Sequence, residues 1–172
     1  MNIQFLEKLS NADGIASNEQ EVRDVLVDEL KEYADEVSTD HLGSIIFKKG
    51  NRGPKIMLCA HIDEVGFIVR SVSDMGQVML MSVGGVKPLA QFMQKVRITT
   101  EDGKKIHGII QATYENNAAT KVYVDLGAQT AQEVYDLGIQ VGDMVTYTTE
   151  FEHFALPNVV AGKAFDDRLG CF

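Results

Sequence analysis

The stretch IMLCAHIDE, residues 56–64, contains the pattern from which the fold can be inferred. Residues 56–60 form a continuous apolar run, which is typical of a strand that is covered on both faces of an α/β sheet. His61 and Asp63 follow directly, at the carboxyl end of the predicted strand, where α/β sheets bind their ligands. The stretch therefore predicts an α/β domain with a polar site at the end of a buried strand.

The residues before this stretch also suggest an α/β layer. Apolar residues at helical spacing predict a short helix from Ile3 to Leu9. Ser17 and Gln20 match a capping box, and the apolar face that follows predicts an amphipathic helix that extends as far as Val37. Residues 43–49 then predict a strand.

After residue 65 the pattern changes to short β-type runs separated by turns such as Asp74-Met75-Gly76. One helical segment, residues 130–137, interrupts these runs. We predict a barrel-like all-β domain over residues 66–155, inserted into a discontinuous α/β domain made of residues 1–65 and 156–172. The predicted β runs are residues 67–72, 78–82, 95–100, 106–111, 122–126 and 144–149.

Two groups of residues could hold a metal ion. If the backbone remains extended, His61 and Asp63 point to the same face, so the carboxylate can orient the imidazole. Asp166 and Asp167 follow a predicted strand at residues 159–161, and a carboxylate can bridge two divalent ions. Each pattern also has a simpler interpretation: a hydrogen-bonded polar pair at residues 61–63, and helix capping by the two aspartates.

The composition excludes several classes of function. The net charge of -9, with 16 scattered Lys and Arg residues, argues against a nucleic-acid partner. No apolar run is long enough to span a membrane, and the start of the chain lacks a signal-peptide pattern, so we expect a cytoplasmic protein. Serine-hydrolase, nucleotide-binding and HExxH motifs are absent from the sequence. His41, His107 and His153 are expected to be surface or structural residues.

The chain resembles the dinuclear metallo-aminopeptidases, the family of glutamyl aminopeptidase and the tetrahedral aminopeptidases. The resemblance runs through the whole chain in order. It is strongest at residues 57–67 and 163–168, and residues 124–128 and 141–143 support it.

The resemblance implies a three-layer α/β catalytic domain in which His61 binds one metal ion and Asp166 bridges two. It assigns Asp63 the catalytic task of orienting His61. The cofactors would be two Zn or Co ions that activate a water molecule, and the reaction would be removal of N-terminal residues from peptides. The resemblance further implies that the β module serves assembly into homo-oligomers, which in this family are often dodecamers.

The resemblance places a general-base glutamate and the remaining metal ligands beyond Phe172. Two ligands cannot complete the coordination of two ions, so we expect these 172 residues alone to bind metal weakly or not at all and to be inactive. Two alternatives remain open: a non-catalytic β module for oligomerisation or protein binding, and a metallo-hydrolase of the same scaffold that cleaves a non-peptide amide. We also expect an uncovered sheet edge at residues 56–60.

Overall fold

The computed structural model describes residues 2–115 and 118–172. Its contacts divide the chain into two compact units. The first unit combines the residues up to Glu64 with Glu150–Phe172, and the second unit is Val65–Thr149. From the sequence we placed the boundaries at 65/66 and 155/156, whereas the contacts place them at 64/65 and 149/150.

The labelled elements, in chain order, are α1 (Ile3–Asn11), α2 (Gln20–Leu30), β1 (Glu36–Thr39), β2 (Ile45–Lys48), β3 (Gly66–Val72), β4 (Val78–Val83), β5 (Lys95–Thr99), β6 (Lys105–Glu115), β7 (Ala118–Asp125), α3 (Ala131–Asp136), β8 (Met144–Tyr147), β9 (Glu152–His153), β10 (Val160–Ala161) and α4 (Phe165–Cys171). None of the helices in the described part of the chain has the length and apolar character needed to cross a membrane.

The first unit is built around α1 and α2, together with two small antiparallel sheets, β1–β2 and β9–β10. The predicted first helix is confirmed as α1, and its apolar residues Phe5 and Leu9 are buried as the helical spacing requires. They pack with Val22 and Leu26 of α2 in one apolar cluster. The burial of these two helical faces forms the core of the unit.

The predicted capping box of α2 is wrong. Ser17 has a positive φ of 73°, the helix begins at Gln20, and its N-terminus has no side-chain cap. Asn18 N donates to Ile15 O at 2.9 Å, so residues 15–18 form a tight turn that holds Ser17 outside the helix. The far end also differs from the prediction, because α2 ends at Leu30 and Val37 lies in β1.

The predicted strand at residues 56–60 is also wrong. These residues form no strand, and Ile56, Met57 and Leu58 are 83%, 84% and 93% exposed. A strand needs neighbours to pair its backbone N–H and C=O groups, and no strand of the described residues pairs with this segment. The described part of the first unit therefore does not contain a three-layer α/β sandwich, and that fold stays a prediction.

The second unit contains a closed antiparallel barrel with the strand order β3-β4-β7-β6-β5-β8. All six predicted β runs and the helical segment α3 are confirmed, within one to four residues at their ends. Alternate residues of the strands point inward, as the period of two requires, and Phe67, Val96, Ile98, Ile110 and Val145 are fully buried in the barrel core. The predicted barrel-like domain is thus confirmed.

Candidate metal centre

Two residues that are far apart in sequence meet in the first unit. His61 Nε2 lies 3.1 Å from Asp166 Oδ1, although 105 positions separate them. On the other side of the ring, His61 Nδ1 is 3.3 Å from Asp63 Oδ1 and 3.3 Å from the Asp63 carbonyl oxygen. The imidazole therefore lies between the two carboxylates that the sequence singled out.

The backbone around α4 determines which aspartate reaches His61. Ala164 adopts a left-handed conformation with φ 58° before the helix, and Asp166 and Asp167 have non-helical φ and ψ values. A Cβ placed on Gly170 would lie 3.0 Å from Asp167 Oδ1, so the Asp167 carboxylate lies against the next turn of its own helix. No side chain caps α4, which disfavours the interpretation of the two aspartates as helix caps.

The electrostatics of the site favour positive charge at His61. Partial burial lowers the pKa of His61, but the hydrogen bond to Asp166 and the negative charges of Asp63 and Asp166 outweigh that effect, so the pKa is raised. The same two carboxylates would favour a divalent cation beside the ring. Metal binding at Nε2 would then displace the proton that Nε2 shares with Asp166.

The donor types fit a zinc or cobalt ion. An imidazole nitrogen and a carboxylate oxygen converge, and a second carboxylate on the opposite ring nitrogen can fix the tautomer. Within residues 2–115 and 118–172, however, no group of three or more His, Cys, Asp or Glu side chains is arranged to hold a metal ion. His61 and Asp166 would supply two donors, and tetrahedral coordination requires more.

The other histidines do not join this site. His153 lies in β9 and packs edge-on against Phe151, with ring centroids 5.7 Å apart. His107 lies in β6 of the barrel, and His41 is exposed in the turn after β1.

A buried charge cluster of Asp13, Glu64, Lys163 and Arg168 lies in the same unit, and the sequence patterns did not predict it. The Lys163 ammonium donates to Asp13 Oδ1 and to Glu64 Oε1, at 2.6 Å each. All four side chains are at most 5% exposed. Two positive and two negative residues balance the formal charge of the cluster, which is the condition under which buried ions are tolerated.

Hydrogen bonds to the backbone complete this cluster. Arg168 Nε donates to Ile62 O at 2.7 Å, and Arg168 Nη1 donates to Leu9 O and Ala12 O at 2.7 Å each. Glu64 Oε1 also accepts from Gly14 N at 3.3 Å. Burial raises the pKa of Glu64 even though Lys163 lies beside it. In the sequence, the one sign of this cluster was the position of its charged residues. Glu64 follows Asp63 directly, and Lys163 and Arg168 lie within three residues of Asp166.

The chain is similar to known proteins along nearly its whole length. Residues 43–172 match the model of the M42 glutamyl aminopeptidase family. The chain is 34% identical over 181 residues to the protein FrvX of Escherichia coli strain K12, and the match covers 99% of the chain and 51% of FrvX. The chain spans about half the length of the curated relatives it matches.

The chain is also similar to solved structures of TET peptidases. A TET aminopeptidase from a marine sediment Thaumarchaeota archaeon matches with a TM-score of 0.91 at 34% identity, over 98% of this chain and 50% of that one. The Pyrococcus horikoshii TET1 peptidase, which can assemble into a tetrahedron or a large octahedral shell, matches with a TM-score of 0.84 at 26% identity, over 98% of this chain and 53% of that one.

Proposed function

Because the chain belongs to the M42 glutamyl aminopeptidase family, we propose that the full-length protein is a metal-dependent aminopeptidase that removes N-terminal residues from peptides. The observation that carries the proposal is the 3.1 Å approach of His61 Nε2 to Asp166 Oδ1. An imidazole and a carboxylate that converge, with a second carboxylate behind the ring, are part of the donor set of a catalytic zinc-type centre.

The proposed cofactors are two divalent ions, Zn or Co, held in part by His61 and Asp166. When bound, such a pair lowers the pKa of a water molecule and polarises the peptide carbonyl. His61 Nδ1 can donate to the Asp63 carbonyl oxygen at 3.3 Å, with the Asp63 carboxylate also 3.3 Å away, and a proton on Nδ1 leaves Nε2 free to act as a ligand. Asp166 would be the residue shared by the two ions, since a carboxylate can bridge two divalent ions.

We further propose that the protein is a homo-oligomer and that the barrel unit contributes to its assembly. A similar peptidase, TET1 of P. horikoshii, forms closed shells. On the barrel unit, Leu89, Phe92 and Met93 are exposed, and exposed apolar side chains that are close together often mark an interface. A twelve-subunit assembly is the expected form. Its mass in solution can be measured by light scattering.

The test of the aminopeptidase proposal uses the full-length protein loaded with Zn or Co and a panel of aminoacyl nitroanilides. We expect hydrolysis, and we expect His61→Ala and Asp166→Asn each to lose about 100-fold or more of the activity and of the metal affinity, since even changes to groups that support metal ligands cost 10–100-fold. His153→Ala is the matched control, because this exposed histidine lies in the same unit and packs on Phe151 rather than on His61 or Asp166.

Failure of the metal-loaded protein on the whole panel would refute the aminopeptidase proposal. Full metal uptake and activity in both site variants would refute the assignment of these two residues as metal ligands.

A further inference from the structure

The two segments that carry the proposed metal ligands are joined by two buried links. Glu64, three residues after His61, binds Lys163, three residues before Asp166, at 2.6 Å. Arg168, two residues after Asp166, donates to the carbonyl oxygen of Ile62, the residue that follows His61, at 2.7 Å. The links thus attach on both sides of Asp166 in the sequence, and both attach to the residues that follow His61.

Both links are also attached to the end of α1. Lys163 contacts Asp13, and Arg168 donates to Leu9 O and Ala12 O. Ser10 Oγ donates in turn to Lys163 O at 2.9 Å. The buried charge cluster therefore connects three stretches of the chain, and α1 is a packed helix whose apolar face is buried in the core of the unit.

The two proposed ligands are themselves exposed. The side chains of His61 and Asp166 are 53% and 99% exposed. Residues 56–60, which lead into His61, are not part of any strand. Burial therefore does not hold the two side chains themselves. Their chain neighbours Ile62 and Phe165 pack against apolar residues of the unit, and the buried charges add the polar links that join the two segments directly.

From this arrangement we propose that Glu64, Lys163 and Arg168 are positioning residues that hold His61 and Asp166 at the separation needed to share a metal site. The proposal rests on the proposed function, because it assumes that these two residues are metal ligands. Groups that orient metal ligands, without binding the metal, strengthen binding by reducing the freedom that the ligands lose when the ion arrives. None of the three side chains touches the metal or the substrate in this scheme.

The test removes one link without leaving an excess charge in the interior. The double variant Glu64→Gln/Lys163→Met deletes one negative and one positive residue and keeps side chains of similar length. Its matched control is Glu36→Gln/Lys48→Met, which makes the same two substitutions in the exposed 2.9 Å ion pair between β1 and β2 of the same unit.

Two quantities are measured on the full-length protein: the affinity for Co(II), from the visible absorption of the bound ion in competition with a chelator, and the unfolding midpoint of the metal-free protein. We expect the double variant to bind Co(II) about 10-fold or more weakly and with a changed absorption spectrum, while it remains folded. The control pair should retain the affinity of the unaltered protein.

The outcomes separate this inference from the proposed function. Absence of Co(II) binding by the unaltered protein would overturn the proposed function and this inference with it. Tight binding by the unaltered protein, with the same affinity and spectrum in the folded double variant, would overturn this inference alone. If the double variant does not fold, the single variant Glu64→Gln is judged by the same affinity and spectral criteria.

Discussion

At the scale of single residues, Lys163 and Tyr147 differ in whether their buried polar atoms have partners. The Lys163 ammonium has two carboxylate partners, whereas Tyr147 Oη is buried with no hydrogen-bond partner among the described residues. The Tyr147 ring packs edge-on against Phe67, with ring centroids 5.8 Å apart. Burial raises the pKa of Tyr147 to about 12.

This pKa predicts how stability depends on alkaline pH. The folded protein keeps Tyr147 protonated to about pH 12, whereas the unfolded chain loses this proton near pH 10. Between these values the unfolded state binds fewer protons, so the free energy of unfolding falls as pH rises, by about 1.4 kcal/mol per unit or about 2–3 kcal/mol in all. The stability that depends on keeping Tyr147 protonated is fully present below about pH 10 and is lost by about pH 12.

We expect Tyr147→Phe to remove this part of the pH dependence. At pH 7 the change should alter stability by less than about 0.5 kcal/mol, because no hydrogen bond within the described residues is lost. Urea unfolding of the two proteins at several values between pH 7 and pH 11.5 measures the difference. Tyr135→Phe, at an exposed tyrosine of the same unit, is the control and should behave like the unaltered protein. Parallel curves for Tyr147→Phe and the unaltered protein would contradict the prediction.

At the scale of elements, β6 contains a glycine in a position that faces the barrel core. Gly108 lies between Ile106 and Ile110 in the inward-facing row of the strand, and it pairs with Val96 of β5. A Cβ at this position would lie 2.3 Å from Val124 Cγ1 and 2.7 Å from Leu126 Cδ2. Small inward residues let a barrel accommodate large neighbours, so here the glycine makes room for other side chains.

Gly108→Ala should therefore destabilise the barrel by about 1–3 kcal/mol, the usual cost of inserting a methyl group into a packed core. Denaturant unfolding followed by circular dichroism measures this loss. Gly85→Ala is the control, because a Cβ at Gly85 would meet no described heavy atom within 4 Å. Equal stability of the two variants would contradict the prediction, because it would mean that the core accommodates a methyl group at Gly108 without loss of stability.

Elements were predictable from sequence where their local period decides their structure. The short β-type runs and turns in residues 66–149 indicated all six barrel strands, and the spacing from Ile3 to Leu9 indicated α1. The predictions failed where a distant partner decides. The apolar run at residues 56–60 resembles a strand by composition, but a strand forms only beside another strand. Ser17 matches a capping box by spacing, but the turn at residues 15–18 holds it outside the helix.

At the scale of the whole molecule, the barrel unit has the features of a part that folds by itself. Its sheet closes through the pairing of β3 with β8, so each of the six described strands has a neighbouring strand on both sides. That pairing, with Phe67 opposite Val145, also brings the two ends of the unit together. Its core cluster consists of residues of the unit itself.

We therefore expect residues 65–149, expressed alone, to fold with a β-type circular dichroism spectrum and a cooperative thermal transition. The control is the fragment 65–143, which lacks β8 and leaves β3 and β5 with unpaired edges. It should be unfolded or aggregated. A disordered 65–149 fragment would show that the barrel depends on the rest of the chain.

The candidate site was predictable as a set of residues but not as a geometry. His61, Asp63 and the adjacent pair Asp166 and Asp167 could be singled out because their side-chain chemistry and their place after apolar runs are visible in the sequence. The family resemblance selected Asp166 from that pair, and the role of these residues in a metal site stays a prediction. The 3.1 Å contact between His61 and Asp166 could not be inferred from local patterns, since it joins segments 105 residues apart. The buried charge cluster was missed for the same reason.

The sequence by itself determined the short β-type runs of the barrel, the first helix and the family resemblance. Each of these depends on side-chain types at fixed local spacing. Tertiary structure alone decided the closure of the barrel through β3 and β8, the exposure of residues 56–58, and the burial of Lys163 and Arg168. These features depend on which distant segments meet, and a charged residue is stable in the interior only where the fold supplies its partners.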